Sequence, residues 1–176
     1  MDSLAESAEK YFKAYADLIA SGKELANAHT EEDFQTQLHA FCEKIVSYRL
    51  PGCVSFGVPG VPPQQDKSPE LATQQASAIL NNCYKLGMSI GLTVKSSEVQ
   101  VLFDHGGYGS CILHVTYGWT PLEKSGLKPW EVQAVYGYRK LESGEEGWEM
   151  CYLDDEVAKM MKYLGPKAFE GIGPPE

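Results

Sequence analysis

From Leu4 to Ile19 the apolar positions Leu4, Ala8, Tyr11, Phe12, Tyr15, Leu18 and Ile19 recur every three or four residues, which puts them on one stripe of a helix ending near Gly22. A second helix is predicted after Thr30, an N-cap followed by Glu31, Glu32 and Asp33. It buries Phe34, Leu38, Phe41, Cys42, Ile45 and Val46, and Pro51-Gly52 stops it. Residues 51–69 hold five prolines and read as an irregular loop, with Cys53-Val54-Ser55-Phe56 as one short strand. Ser68-Pro69-Glu70 then opens a third helix, with proline at its first position, carrying Leu71, Gln75, Ala78, Ile79, Cys83 and Leu86 up to Gly87.

Beyond Gly87 the period changes from about 3.6 to 2. Strands are predicted over residues 88–94, 99–105, 110–119, 130–141 and 147–153, with tight turns at Gly106-Gly107 and Ser143-Gly144 that imply antiparallel hairpins. A last short helix follows Asp154 and ends at Gly165-Pro166. No repeat or linker divides the chain, so residues 1–176 read as a single domain, with a proline-rich loop at 51–69 and a tail at 166–176. Helices first and an antiparallel sheet afterwards is the pattern of an α+β fold, in which three helices from the N-terminal half cover one face of a curved sheet.

Strand alternation assigns the faces. Cys111, Leu113, Val115, Tyr117 and Trp119 share the inner face, opposite Ser110, Ile112, His114, Thr116 and Gly118. By the same rule Trp130, Val132, Ala134, Tyr136 and Tyr138 point inward, as do Trp148, Met150 and Tyr152. An interior so rich in Trp and Tyr must find partners for their N–H and O–H groups. It is either a bulky core with its hydroxyls at the rim or an aromatic-lined ligand pocket.

Composition narrows the setting. The chain carries 15 Lys and Arg against 24 Asp and Glu, a net charge of −9 that repels nucleic acid and anionic membrane surfaces. No apolar stretch approaches the roughly 18 residues of a membrane-spanning helix, and MDSLAESAEK is too acidic and polar for a signal peptide, so a cytoplasmic protein is expected. Five scattered cysteines without a CxxC spacing read as buried or free thiols rather than a disulfide framework. The four histidines show no HxH or HxxxH spacing, and neither a metal site nor a cofactor is predicted.

The element order, together with Tyr15-Ala16-Asp17-Leu18 and Gly22 in the first helix and the ending Tyr138-Arg139-Lys140-Leu141 through Gly147-Trp148-Glu149 to Asp154-Asp155-Glu156, resembles the nuclear transport factor 2-like superfamily of cone-shaped α+β domains, its fungal members most of all. Related groups include SnoaL-like cyclases, ketosteroid isomerase, scytalone dehydratase and limonene epoxide hydrolase. The resemblance implies that Tyr15 stands where ketosteroid isomerase has its oxyanion-binding tyrosine, and Tyr136 where it has a protonated aspartic acid. Two phenols there could stabilise a developing enolate. At the position of that family's base aspartate, before Phe56-Gly57, this chain has Val54. At the position of the epoxide hydrolase aspartate it has Met150 after Trp148-Glu149. The histidine chemistry of scytalone dehydratase would involve His114 only if strand register shifted by one residue.

Among the remaining candidates, Asp154, Asp155 and Glu156 fit a helix cap, and Asp154 shares the parity of Tyr152 and so could face the cavity as a general base. Asp104-His105 reads as a hairpin shoulder, and Arg49 and Arg139 as surface ion pairs. Gly57-Val58-Pro59-Gly60 is broken by proline and does not form a phosphate loop; the segment around it could be a lid over the cone. The expectation is a small-molecule pocket protein, a cofactor-independent isomerase, cyclase or dehydratase acting on an apolar carbonyl-containing metabolite. Tyr15, Tyr136 and Asp154 would carry the chemistry, with His114 in reserve. Tyr11, Phe41, Phe56, Tyr117, Trp119, Trp130, Tyr138, Trp148, Met150 and Tyr152 would line the site. The competing expectation is a non-catalytic ligand-binding or interaction module, homodimeric through an outer sheet face bearing Ile112, His114, Thr116, Gln133 and Val135.

Overall fold

The computed structural model describes residues 2–57 and 62–172. Helix α1 (Leu4–Ser21) begins with a capping box: Ser3 accepts from the Glu6 N–H, and the Glu6 carboxylate accepts from the Ser3 N–H in return. Its buried stripe is Leu4, Ser7, Ala8, Phe12, Tyr15 and Ile19. A 3-10 turn (Gly22–Asn27) leads to α2 (Glu31–Ser47), where Thr30 caps the Asp33 N–H as its position predicts. Ser68 does the same for Leu71 at the start of α3 (Pro69–Lys85). Leu71 itself is exposed, and α3 buries Ala72, Thr73 and Cys83.

Four strands form an antiparallel meander: β3 (Thr93–His105), β4 (Tyr108–Trp119), β5 (Trp130–Lys140) and β6 (Glu146–Tyr152). They belong to one six-stranded sheet of order β2-β1-β6-β5-β4-β3. Strand β1 (Arg49–Phe56) runs parallel to β6, and the two-residue β2 (Gln64–Gln65) closes that edge in antiparallel fashion.

The fold is therefore α+β, but its sheet is mixed rather than purely antiparallel. Pro51-Gly52 does not stop α2; the helix ends at Ser47, and those residues sit inside β1, where the register with β6 slips between Arg49 and Val54. Gly52 has φ +76°, the left-handed conformation that glycine tolerates. Residues 88–94 and 99–105 are not two strands. A single β3 starts at Thr93, and the stretch before it is held by a bridge from Met88 to Pro121 and by a close crossing of α1. Gly91 makes that crossing possible, since a Cβ there would lie 2.6 Å from the Ile19 carbonyl oxygen. Within the expected 51–69 loop, residues 58–61 lie outside the described part, so the lid reading falls largely there.

The core lies between the helices and the concave sheet face. Cys111, Leu113, Val115, Tyr117 and Trp119 on β4 and Trp130, Val132, Ala134, Tyr136 and Tyr138 on β5 are all buried, as alternation predicts. The final helix α4 (Asp154–Leu164) crosses the end of the sheet where β6 stops. Its Met160 packs on Cys83 of α3 and its Tyr163 stacks on Trp130. Residues 166–176 are not simply a tail: a 3-10 turn (Pro166–Phe169) buries Ala168 completely, and Asn82 of α3 donates to the Ala168 and Glu170 carbonyls. Among the described residues no helix is long and apolar enough to cross a membrane.

Candidate functional site

Three tyrosines from three elements meet on the concave face. Tyr15 reaches in from α1 and lies edge-on to Tyr136 of β5, with ring centroids 5.6 Å apart, and to Trp148 of β6 at 5.4 Å. The Tyr136 and Tyr117 hydroxyls are hydrogen-bonded at 3.0 Å. All three residues are buried, and burial pushes every one of these phenols well above its ordinary range. For Tyr15 a hydroxyl contact with Tyr136 works in the opposite direction. Such hydroxyls stay protonated and act as donors.

The carboxyl whose charge reaches all three is Glu156. Helical spacing explains its orientation, because Glu156 and the buried Met160 are i,i+4 neighbours on one face of α4. Its charge is felt by Tyr15, Tyr117, Tyr136, Cys83 and Cys151. Burial, reinforced by the neighbouring Asp155 charge, raises the Glu156 carboxyl from 4.5 to about 7. Asp155 has a different task. Its Oδ2 accepts from the Gln133 N–H at 2.7 Å, just past the end of β6, and from Lys159 at 2.9 Å.

Several buried polar atoms meet no hydrogen-bond partner among the described residues, among them Ser55 Oγ, which pairs across from Cys151, and the indole Nε1 atoms of Trp130 and Trp148. Arg49 pairs across from Trp148. Its Nη1 contacts both carboxylate oxygens of Asp66, at 3.0 and 3.2 Å, and both side chains are largely buried. Burial works against the guanidinium charge, but the surrounding Cys151, Asp66 and Tyr15 groups outweigh it, so the charge is held firmly. Arg49 is therefore not the surface ion pair expected from sequence, whereas Arg139 pairs with Glu149 at the surface of the sheet.

Several expected site residues need correction. The β5–β6 ladder slips by one residue between Gly137 and Tyr138: Tyr138 faces Trp148, Gly137 faces Met150, and Glu149 is the extra residue. Alternation beyond Trp148 is thereby inverted, so Cys151 turns inward while Met150 and Tyr152 lie on the outer face. Tyr152 stacks there on Phe56 at 4.3 Å, so Phe56 is outside as well. The parity argument for Asp154 falls with Tyr152; Asp154 opens α4, and the inward carboxyl is Glu156. His114 is exposed on the outer face, where it lines a shallow groove with Ser96, Glu98, Thr116, Gln133 and Val135.

The other expected lining residues do lie within or against the core. Tyr11 is half-buried against Tyr48, Tyr138 and Trp148 and donates to the Tyr48 carbonyl at 2.8 Å. Phe41, Tyr117, Trp119, Trp130, Tyr138 and Trp148 are buried, and Trp119 Nε1 donates to the Ser89 carbonyl. Much of the aromatic interior is thus filled by its own side chains. Glu156 was hidden in sequence among cap acids; its i,i+4 relation to Met160 was the signal available. Asp104 accepts from the Gly107 N–H, which is the expected hairpin shoulder. Among the described residues no group of three His, Cys, Asp or Glu is placed to hold a metal ion.

Comparison with solved structures agrees with this architecture. The chain superposes on an NTF2-like protein with a cystatin-like fold from Novosphingobium aromaticivorans with TM-score 0.50 and 11% identity, over 84% of this chain and 78% of that one. A putative polyketide cyclase from Xanthomonas campestris pv. campestris superposes with TM-score 0.51 and 8% identity, over 92% and 99% of the two chains. A Catenulispora acidiphila protein does so with TM-score 0.53 and 8% identity, over 87% and 91%. No family model matches the chain, and no curated protein matches it in sequence. At these identities the likeness concerns the fold: this chain has the NTF2-like, cystatin-like α+β architecture, which hosts enzymes and binding modules alike.

Proposed function

We propose that the α4 end of the cone binds a small, mostly apolar carbonyl compound and moves a proton on it without a cofactor. One observation carries this reading: three buried phenols supplied by α1, β4 and β5 lie together within the electrostatic reach of a half-buried carboxyl, Glu156 on α4. The Glu156 carboxylate takes a proton from the carbon beside the carbonyl, and the electron pair moves to the carbonyl oxygen. The Tyr15 hydroxyl and the Tyr136 hydroxyl, the latter accepting from Tyr117, donate to that oxygen as charge develops. Return of the proton at another carbon completes an isomerisation, and departure of a β-hydroxyl completes a dehydration. A carboxyl near 7 is matched to this exchange at neutral pH. Glu156 replaces Asp154 as the base, and the fold's likeness to a putative polyketide cyclase is compatible with such chemistry.

The test is deuterium uptake from D2O into a panel of cyclic and aromatic ketones, followed by NMR. Uptake is expected to rise with pH through about 7, to fall at least tenfold in Glu156→Gln and Tyr15→Phe, and to be unchanged in His114→Ala. Equal exchange in the wild type and in Glu156→Gln would remove the proposed base.

A second reading, a homodimeric interaction module, is favoured by the tip of β3, where Val101, Leu102 and Phe103 are all exposed. Sedimentation of the wild type and of Phe103→Ser at micromolar concentration tests it: a dimer that the substitution dissociates is its expected outcome, and a monomeric wild type would exclude it.

A further inference from the structure

All five cysteines are free and buried, but Cys53 and Cys151 are brought together: their sulfurs are 3.9 Å apart, on the inner faces of the adjacent parallel strands β1 and β6. A disulfide requires about 2.05 Å, so each sulfur needs to move by roughly 1 Å, within the reach of a χ1 rotation. The backbone offers further slack. The β1–β6 register is broken between Arg49 and Val54, the stretch that contains Cys53, and Gly52 beside it is in the left-handed region. Outside β1 only the two-residue β2 protects this edge, and Pro51 is exposed while Gly52 and Val54 are half-exposed. Local opening here costs far less than global unfolding and gives small solutes a route to the pair.

The surroundings distinguish the two sulfurs. Either thiol can donate in this contact; the contact with Cys53 and the field of the Arg49 guanidinium hold Cys151 below the usual thiol range even though burial opposes this. The same contact, with burial, pushes Cys53 up. The Arg49 guanidinium favours a thiolate on either member of the pair, and Cys151 is taken as the attacking sulfur.

We propose that Cys53 and Cys151 are a redox-reactive dithiol, which hydrogen peroxide or an organic hydroperoxide closes into a disulfide tying β1 to β6. The Cys151 thiolate attacks the peroxide, the O–O bond breaks, and Cys151 becomes a sulfenic acid as hydroxide leaves. Cys53 then attacks that sulfur and releases its hydroxyl as water. In sum two thiols and one hydroperoxide give one disulfide, with the hydroperoxide reduced to water or to water and an alcohol. The inference stands apart from the proton-transfer reading, because neither sulfur is needed for that chemistry.

The experiment treats the folded full chain with equimolar hydrogen peroxide, alkylates the remaining thiols and maps peptides by mass spectrometry. The expected product is lighter by two hydrogens, joins the Cys53 and Cys151 peptides, leaves Cys42, Cys83 and Cys111 alkylatable only after unfolding, and reverts with dithiothreitol. In Cys53→Ser, a dimedone adduct should accumulate on Cys151. The wild-type map decides even if that variant fails to fold. Recovery of Cys53 and Cys151 as free thiols after treatment, or cross-links to Cys42, Cys83 or Cys111 in comparable yield, would overturn the proposal.

Discussion

The two ends of the cone are built from the same aromatic residues but differ in how their polar atoms are treated. At the β5–β6 hairpin end, Tyr11, Tyr48, Tyr138 and Trp148 pack as a block; Tyr11 donates to the Tyr48 carbonyl and Tyr138 to Glu146, and the Trp148 indole N–H is left without a partner among the described residues. At the α4 end, Glu156 is half-buried, and Ser55 Oγ has no partner among the described residues. A buried polar group that lacks a partner costs roughly 1–3 kcal/mol, so it persists only where something other than stability keeps it. Aromatic content alone does not separate a core from a pocket; the state of the hydroxyls and carboxyls among the rings does.

The largest expected effect belongs to the packed end. Trp148→Ala removes a fully buried indole that touches Tyr11, Tyr15, Tyr136 and Tyr138, and should cost about 3–5 kcal/mol in urea unfolding. A loss below about 1 kcal/mol would mean that this end is not the rigid half of the comparison.

The middle effect has the opposite sign and depends on pH. Glu156 holds its proton more tightly in the folded chain, its carboxyl being raised from 4.5 to about 7, so folding is favoured below the lower value and loses that contribution as pH climbs to the upper one. Glu156→Gln, which cannot ionise, should therefore be more stable than wild type at pH 8. For a half-buried group the gain is about 1–2 kcal/mol, and it should vanish near pH 4. Parallel denaturation curves at the two pH values check this; a gain that does not change with pH would place the carboxyl in water.

The smallest effect sharpens the boundary between the ends. Tyr117→Phe breaks the 3.0 Å hydroxyl pair with Tyr136 and should cost about 1 kcal/mol in thermal or urea unfolding. A neutral result would show that the Tyr136 hydroxyl finds another partner, as a ligand-facing donor would.

Local signals were readable along the chain because they depend on neighbours in sequence. The caps at Thr30 and Ser68, and the inner faces of β4 and β5 from Cys111 to Tyr138, follow from short spacings. The failures share a non-local cause. The extra residue at Glu149 exists only as a mismatch between two paired strands, so Met150 and Tyr152 kept a parity in sequence that the ladder does not honour. Arg49 looked like a surface charge because its partner, Asp66, lies 17 residues away and only strand pairing buries the two together. Glu156 resembled one more dipole-compensating acid until the packing of Met160 oriented its helix face. Tyr15 and Tyr136 were named through the family resemblance and are buried side by side, whereas the place of Glu156 could be seen only with α4 docked.

The parallel pairing of β1 with β6 also dictates a timetable. Cys53 and Cys151 are 98 residues apart, so β1 meets β6 only after the whole of the intervening sheet has been synthesised. The β3–β4–β5 hairpins can form as they emerge, whereas β1, paired only with the two-residue β2, must wait for β6 to cover its other edge. Trp148, Cys151 and Glu156 all belong to β6 and α4, so the proposed site is assembled only once the sheet is complete.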